Sequence, residues 1–152
     1  MPINWNRPQP APQAVWRVVN ANFPSTGFGG IYSPRNIRGR STPSLHAEGR
    51  ALDIMLKAAD PAQKIIADGL FRIFTDLAQQ IGLEEVIWNK QAWSQRHLGV
   101  HPYTGADPHT GHMHIGFTRD GSQKTSFALL ELRVAVLRTG VDELRKASGG
   151  LA

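Results

Sequence analysis

Cysteine is absent from the chain. That excludes disulfides, thiol nucleophiles and cysteine-ligated metal sites, and leaves the redox compartment open. Any bound metal must be held by imidazole and carboxylate groups. Long apolar runs are missing too: no stretch approaches the ~20 residues that cross a bilayer, so no membrane segment is expected. The opening residues, Met1 to Pro10, have neither a basic n-region nor an apolar h-region, and no secretory signal peptide is expected there. Internal repeats and low-complexity tracts are also lacking.

What remains suits one folded domain over residues 1–152. The chain is 41% hydrophobic and 19% charged, which allows a buried core and disfavours disorder. Seventeen Lys and Arg against twelve Asp and Glu leave a net charge of +5, with a pI near 10.1. Such a balance suits a polyanionic environment, whether nucleic acid, an anionic cell wall or a membrane surface, without choosing among them.

Prolines 2, 8, 10 and 12 mark an extended lead-in over residues 1–12. A short helix is predicted from about Gln13 to Phe23, with Val15, Val18, Val19 and Trp16 inward. Phe23 to Pro43 reads as a long ordered loop, a length that in a compact domain is usually functional. Gly49 to Leu56 alternates as a strand: Leu52, Ile54 and Leu56 fall on one face, Gly49, Ala51, Asp53 and Met55 on the other. Asp60 and Pro61 open a helix whose apolar stripe is Ile66, Leu70, Ile73, Phe74, Leu77 and Ile81, and Gly82 closes it. Glu85 to Asn89 and Gln91 to Ser94 read as short paired strands, His101 to Thr110 as loop, and His112 to Phe117 as a strand. A last helix from Ser126 to Lys146 turns Phe127, Leu130, Val134 and Leu137 inward, with Gly140 a candidate break. With no βαβα rhythm, the pattern predicts an α+β domain with a small antiparallel sheet flanked by helices.

His112 and His114, two apart on a strand, point to one face and can serve one site. An isolated His-x-His is more often a chance surface pair. Upstream, however, His46 stands at the mouth of the strand that carries Asp53, and Gly49 and Ala51 leave room beside that aspartate. A histidine, a carboxylate and a second histidine form the three-ligand shell of a catalytic zinc, with a fourth position open. Trp88 and Trp93 are read as packing or walls near the site, Glu84 and Glu85 as a solvated pair, and Ser44 as bonding the loop backbone.

The run Ser44-x-His46-x-x-Gly49-x-Ala51-x-Asp53 resembles the first metal motif of the LAS metallopeptidases. These include D-alanyl-D-alanine carboxypeptidases, murein endopeptidase and the hedgehog signalling domain. Tyr32 to Gly39 resembles the corresponding approach in extensin-like carboxypeptidase-related domains, and Asp107 to Ile115 resembles the superfamily's His-x-His segment. The resemblance implies a hedgehog/D-Ala-D-Ala peptidase-like fold with His46, Asp53 and His114 as Zn²⁺ ligands. It implies His112 as general base or transition-state stabiliser, and His109 as a further residue lining the site. One branch carries a glutamate three residues before its last ligand; Gly111 stands there instead, which favours the branch that uses histidine. Glu48, Asp107 and His101 are alternative bases. Arg35 or Arg38 would stabilise the developing oxyanion or grip a substrate carboxylate, and Ser44 adjoins the substrate.

The expected function is zinc-dependent hydrolysis of peptidoglycan stem peptides or cross-links by a monomer. It would act in the periplasm or cell wall, delivered by lysis or a secretion system. A catalytically silent zinc-containing binding domain is the alternative. A nucleic-acid partner rests on pI alone and is not expected, because the basic residues are scattered.

Overall fold

In the computed structural model, which describes residues 1–149, the elements run α1 (Pro10–Asn22), β1 (Gly27–Gly30), β2 (Ala51–Met55), α2 (Pro61–Asp76), α3 (Ala78–Ile81), β3 (Leu83–Trp88), β4 (Gln91–Ser94), β5 (Val100–Pro102), β6 (His112–Phe117) and α4 (Ala128–Ala147). The six strands form one antiparallel sheet in the order β1-β2-β6-β3-β4-β5. The fold is α+β, as the pattern of elements predicts.

Side-chain alternation divides this sheet into two unlike faces. Leu52 and Ile54 of β2 pair with Ile115 and Met113 of β6, and all four join one apolar core with Val15 of α1, Leu70 and Phe74 of α2, and Leu130 and Val134 of α4. The helices cover that face. The intervening residues Asp53, His112 and His114 leave the opposite face, which carries the site. Trp88 and Trp93 belong to the core, so they are not walls of the site. Trp88 donates its indole N–H to Asp68 on α2 at 2.9 Å.

Local chemistry sets the element ends. Asp60 caps α2 by accepting from the backbone N–H groups of Ala62 and Gln63. The predicted apolar stripe is buried throughout, although the chain breaks step at Leu77 before α3. Gly82 then ends α3 in the left-handed region, at φ +80°. Asn89 and Lys90, both at positive φ, form the two-residue turn between β3 and β4.

Several boundaries differ from the sequence expectation. Helix α1 begins at Pro10, because prolines fit the first helical turn, where their missing N–H has no partner to lose; the lead-in ends at Gln9. The predicted strand starts at Ala51, since Gly49 turns the chain at φ +66°. The segment read as loop after Phe23 holds edge strand β1, whose glycines allow close approach: a Cβ on Gly29 would lie 2.8 Å from the Cβ of Asp53. The segment read as loop from His101 begins inside β5. Gly140 does not interrupt α4. No helix among the described residues is long and apolar enough to cross a membrane.

Candidate metal centre

Three elements bring the ligand-type residues together. Asp53 of β2 lies directly opposite His114 of β6 in the ladder. His46 rides on the 3-10 turn Leu45–Glu48, which Gly49 closes. One ligand atom from each of His46, Asp53 and His114 lies within 4.8 Å of the others, and all three residues are buried.

Both imidazoles have one nitrogen committed elsewhere, which settles the nitrogen that faces the centre. Nδ1 of His46 donates to the carbonyl oxygen of Ile31 at 2.7 Å, leaving Nε2 3.1 Å from Oδ1 of Asp53. His114 is turned the other way: Nε2 donates to Oε1 of Glu85 at 3.0 Å, while Nδ1 stands 3.1 Å from the same Oδ1 of Asp53. Arg35 approaches the second oxygen of Asp53, Oδ2, at 3.7 Å.

The electrostatics favour positive charge at this point. Burial alone would lower the pKa of His114, but hydrogen bonds to Asp53 and Glu85 push it up to about 10. Burial also opposes ionisation of Asp53, yet the bond from His114 and the close approach of the His46 imidazole hold that carboxyl far below its usual range. Glu85 is lowered in the same way, its bond to His114 overcoming burial. Two ionised carboxylates thus converge on one small volume.

A divalent cation fits these residues. Nε2 of His46 is buried 3.1 Å from Oδ1 of Asp53 without a well-aligned hydrogen bond to it or to any other group among the described residues, so it is not committed to a protein partner. Two imidazole nitrogens and a carboxylate oxygen suit zinc and its first-row neighbours. The buried His/Asp group can therefore hold a metal ion.

The centre opens into a cleft of about 690 Å³ lined by Arg38, Ser44, His109 and His112, among others. The sequence-predicted residues therefore share one cavity, but they do not form one cluster. His112 groups with Asp107 and His109, its ring centroid 4.5 Å from that of His109. His101 lines the cleft at β5. Glu48 does not serve as a base in this arrangement, because Arg50 and Arg119 both hold its carboxylate. Ser44 does not bond the backbone through its side chain: its hydroxyl is buried without a partner, and only its backbone N–H donates, to Arg35.

Two residues escaped the sequence reading. Glu85 is not half of a solvated pair; it holds His114, while Glu84 pairs with Arg50. Tyr103 packs edge-on against His109 at 5.2 Å. Glu85 reaches the site because the β3–β6 register shifts between Leu83 and Glu85, a signal that strict alternation cannot carry.

Comparisons with curated proteins and with solved structures return no significant match. A family profile described as the VldE C-terminal domain matches residues 5–114, more than half of the chain, and that span includes His46, Asp53 and His114. The chain belongs to the VldE C-terminal domain family.

Proposed function

We propose that the chain is a zinc-dependent peptidase that hydrolyses stem peptides or cross-links of bacterial peptidoglycan, acting in the periplasm or cell wall. The observation that carries this reading is the buried His46–Asp53–His114 group at the end of an open cleft. The resemblance of its flanking motifs to LAS metallopeptidases supplies the reaction class. The three residues would hold Zn²⁺ through Nε2 of His46, a carboxylate oxygen of Asp53 and Nδ1 of His114. Zinc in such a site supplies Lewis acidity, activating water near neutral pH and polarising the scissile carbonyl.

The chain's own groups do the rest. His112, half-buried on the cleft side of β6, accepts a proton from the attacking water and returns it to the leaving amine. Arg35 and Arg38 supply positive charge on the cleft wall, for the developing oxyanion or for a substrate carboxylate. His109 and Ser44 border the substrate, and the net charge of +5 favours an anionic wall polymer.

The test is digestion of a defined muropeptide set, with fragments read by mass spectrometry. Cleavage that stops with chelator and returns with zinc is the expected result. Tight zinc binding with no cleavage of any stem peptide or cross-link would overturn the enzymatic reading and leave the chain as a zinc-containing binding domain.

A further inference from the structure

We propose that Asp107, His109 and His112 form a second divalent-cation site in the same cleft, weaker than the His46–Asp53–His114 centre, and that its occupancy withdraws His112 from proton transfer. The existence of the site does not depend on the peptidase reading; only the consequence for turnover rests on it.

One ligand atom from each of the three residues lies within 4.8 Å of the others. Each of the three also keeps at least one ligand atom free of hydrogen bonds. Nδ1 of His109 donates to the backbone carbonyl of Asp107 at 2.7 Å, so Nε2 carries the lone pair. The backbone N–H of His109 donates to Oδ1 of Asp107 at 2.9 Å, and Oδ2 has no hydrogen-bond partner among the described residues. Neither ring nitrogen of His112 has one either, among the described residues. Three residues of the types that bind zinc therefore stand together, each with an uncommitted ligand atom.

Position ties this group to the first centre without merging the two. His112 opens β6 and leaves the same sheet face as His114, and the ring centroids of His109 and His114 are 6.0 Å apart. Affinity must be lower at the second group. In the first centre all three residues are buried and both imidazoles are anchored through their other nitrogen. In the second, only His109 is buried and only its ring is anchored, while Asp107 and His112 are partly open to water. An imidazole nitrogen that ligates a cation cannot accept a proton, so filling this site removes the group assigned as base.

The decisive measurement is a Zn²⁺ titration of the metal-stripped full chain against a competing chelator, with Asp107→Asn and His109→Gln alongside. Wild type is expected to take two ions per chain in two steps, and each variant one, with the tight step retained as proof of folding. A single equivalent in wild type, or two equivalents unchanged in both variants, would overturn the site. In the muropeptide assay, turnover by wild type is expected to fall at zinc concentrations that fill the second step, and Asp107→Asn should resist that fall. Undiminished wild-type turnover with both steps filled refutes the withdrawal of His112. Absence of turnover at every zinc concentration sinks the peptidase reading and the claim about turnover with it, while the stoichiometry still decides the site.

Discussion

His46 and His114 offer different ring nitrogens to Asp53, and each ring is locked by an acceptor on its far side, Ile31 and Glu85 respectively. Ligand identity and ligand orientation are thus separate problems, solved by separate residues. Asp53→Ala and His114→Ala are expected to lose both the tightly bound zinc and activity, whereas His112→Ala should retain the tightly bound ion and lose turnover; metal content by elemental analysis beside a muropeptide assay reads both. Loss of the tight ion from His112→Ala, with His114→Ala harmless, would mean that ligand and base have been exchanged. Glu85→Gln tests orientation alone. An amide can present its nitrogen to His114 and no longer imposes one tautomer, so zinc affinity should weaken by roughly 10–100-fold with the fold intact. Unchanged affinity in a chelator competition would leave Glu85 without a positioning role.

At the scale of elements, the paired strands β2 and β6 were legible because their apolar and polar residues alternate without interruption. Helix α2 was legible because its cap and its stripe agree. Strand β3 was only half legible. Leu83 faces the core and Glu85 the site, although they stand two positions apart, since the register shift beside Glu84 inverts the alternation. The short turn bearing His46 also depends on partners distant in sequence. Arg119, just after β6, bonds the Glu48 carboxylate at 2.5 Å and Arg50 bonds it as well. The Arg119 bond most of all, with that of Arg50, holds the Glu48 pKa below its ordinary value against the opposing effect of burial. A carboxylate depressed in the folded state stabilises the fold above its unfolded pKa of about 4.3, and that stability is lost as pH falls through the lower folded value. Glu48→Gln should therefore be less stable than wild type at neutral pH, with the difference shrinking in the acid range below about pH 4.3. Urea unfolding across that range checks it, and a difference independent of pH would assign the effect to packing.

For the whole molecule, a two-layer arrangement separates stability from chemistry. Helices bury the apolar face of the sheet, and the opposite face is left to charged and imidazole groups that the loops wall in. One buried imidazole nitrogen there lacks a well-aligned hydrogen bond, which disfavours the metal-free fold. Zinc should accordingly raise the melting temperature, by an amount that grows with free zinc as binding linkage requires: about 2.7 kcal/mol of added stability when free zinc is 100 times Kd. Asp53→Ala should remove the part of that rise due to the tight ion, leaving only what the weaker site adds at higher free zinc. Differential scanning calorimetry at several buffered zinc concentrations measures both, and an equal rise in Asp53→Ala would place the stabilising ion elsewhere.

Residue order alone determined which strands would alternate, where α2 is capped, and that His46, Asp53, His112 and His114 carry side chains of metal-ligand and acid–base type, because periodicity and donor type are local properties. The tertiary structure decided which of them meet. Pairing of β2 with β6 sets Asp53 against His114, a register shift delivers Glu85, and an edge strand made mostly of glycine fits beside Asp53. Each of these depends on contacts between segments far apart in sequence, where no local pattern reports the geometry.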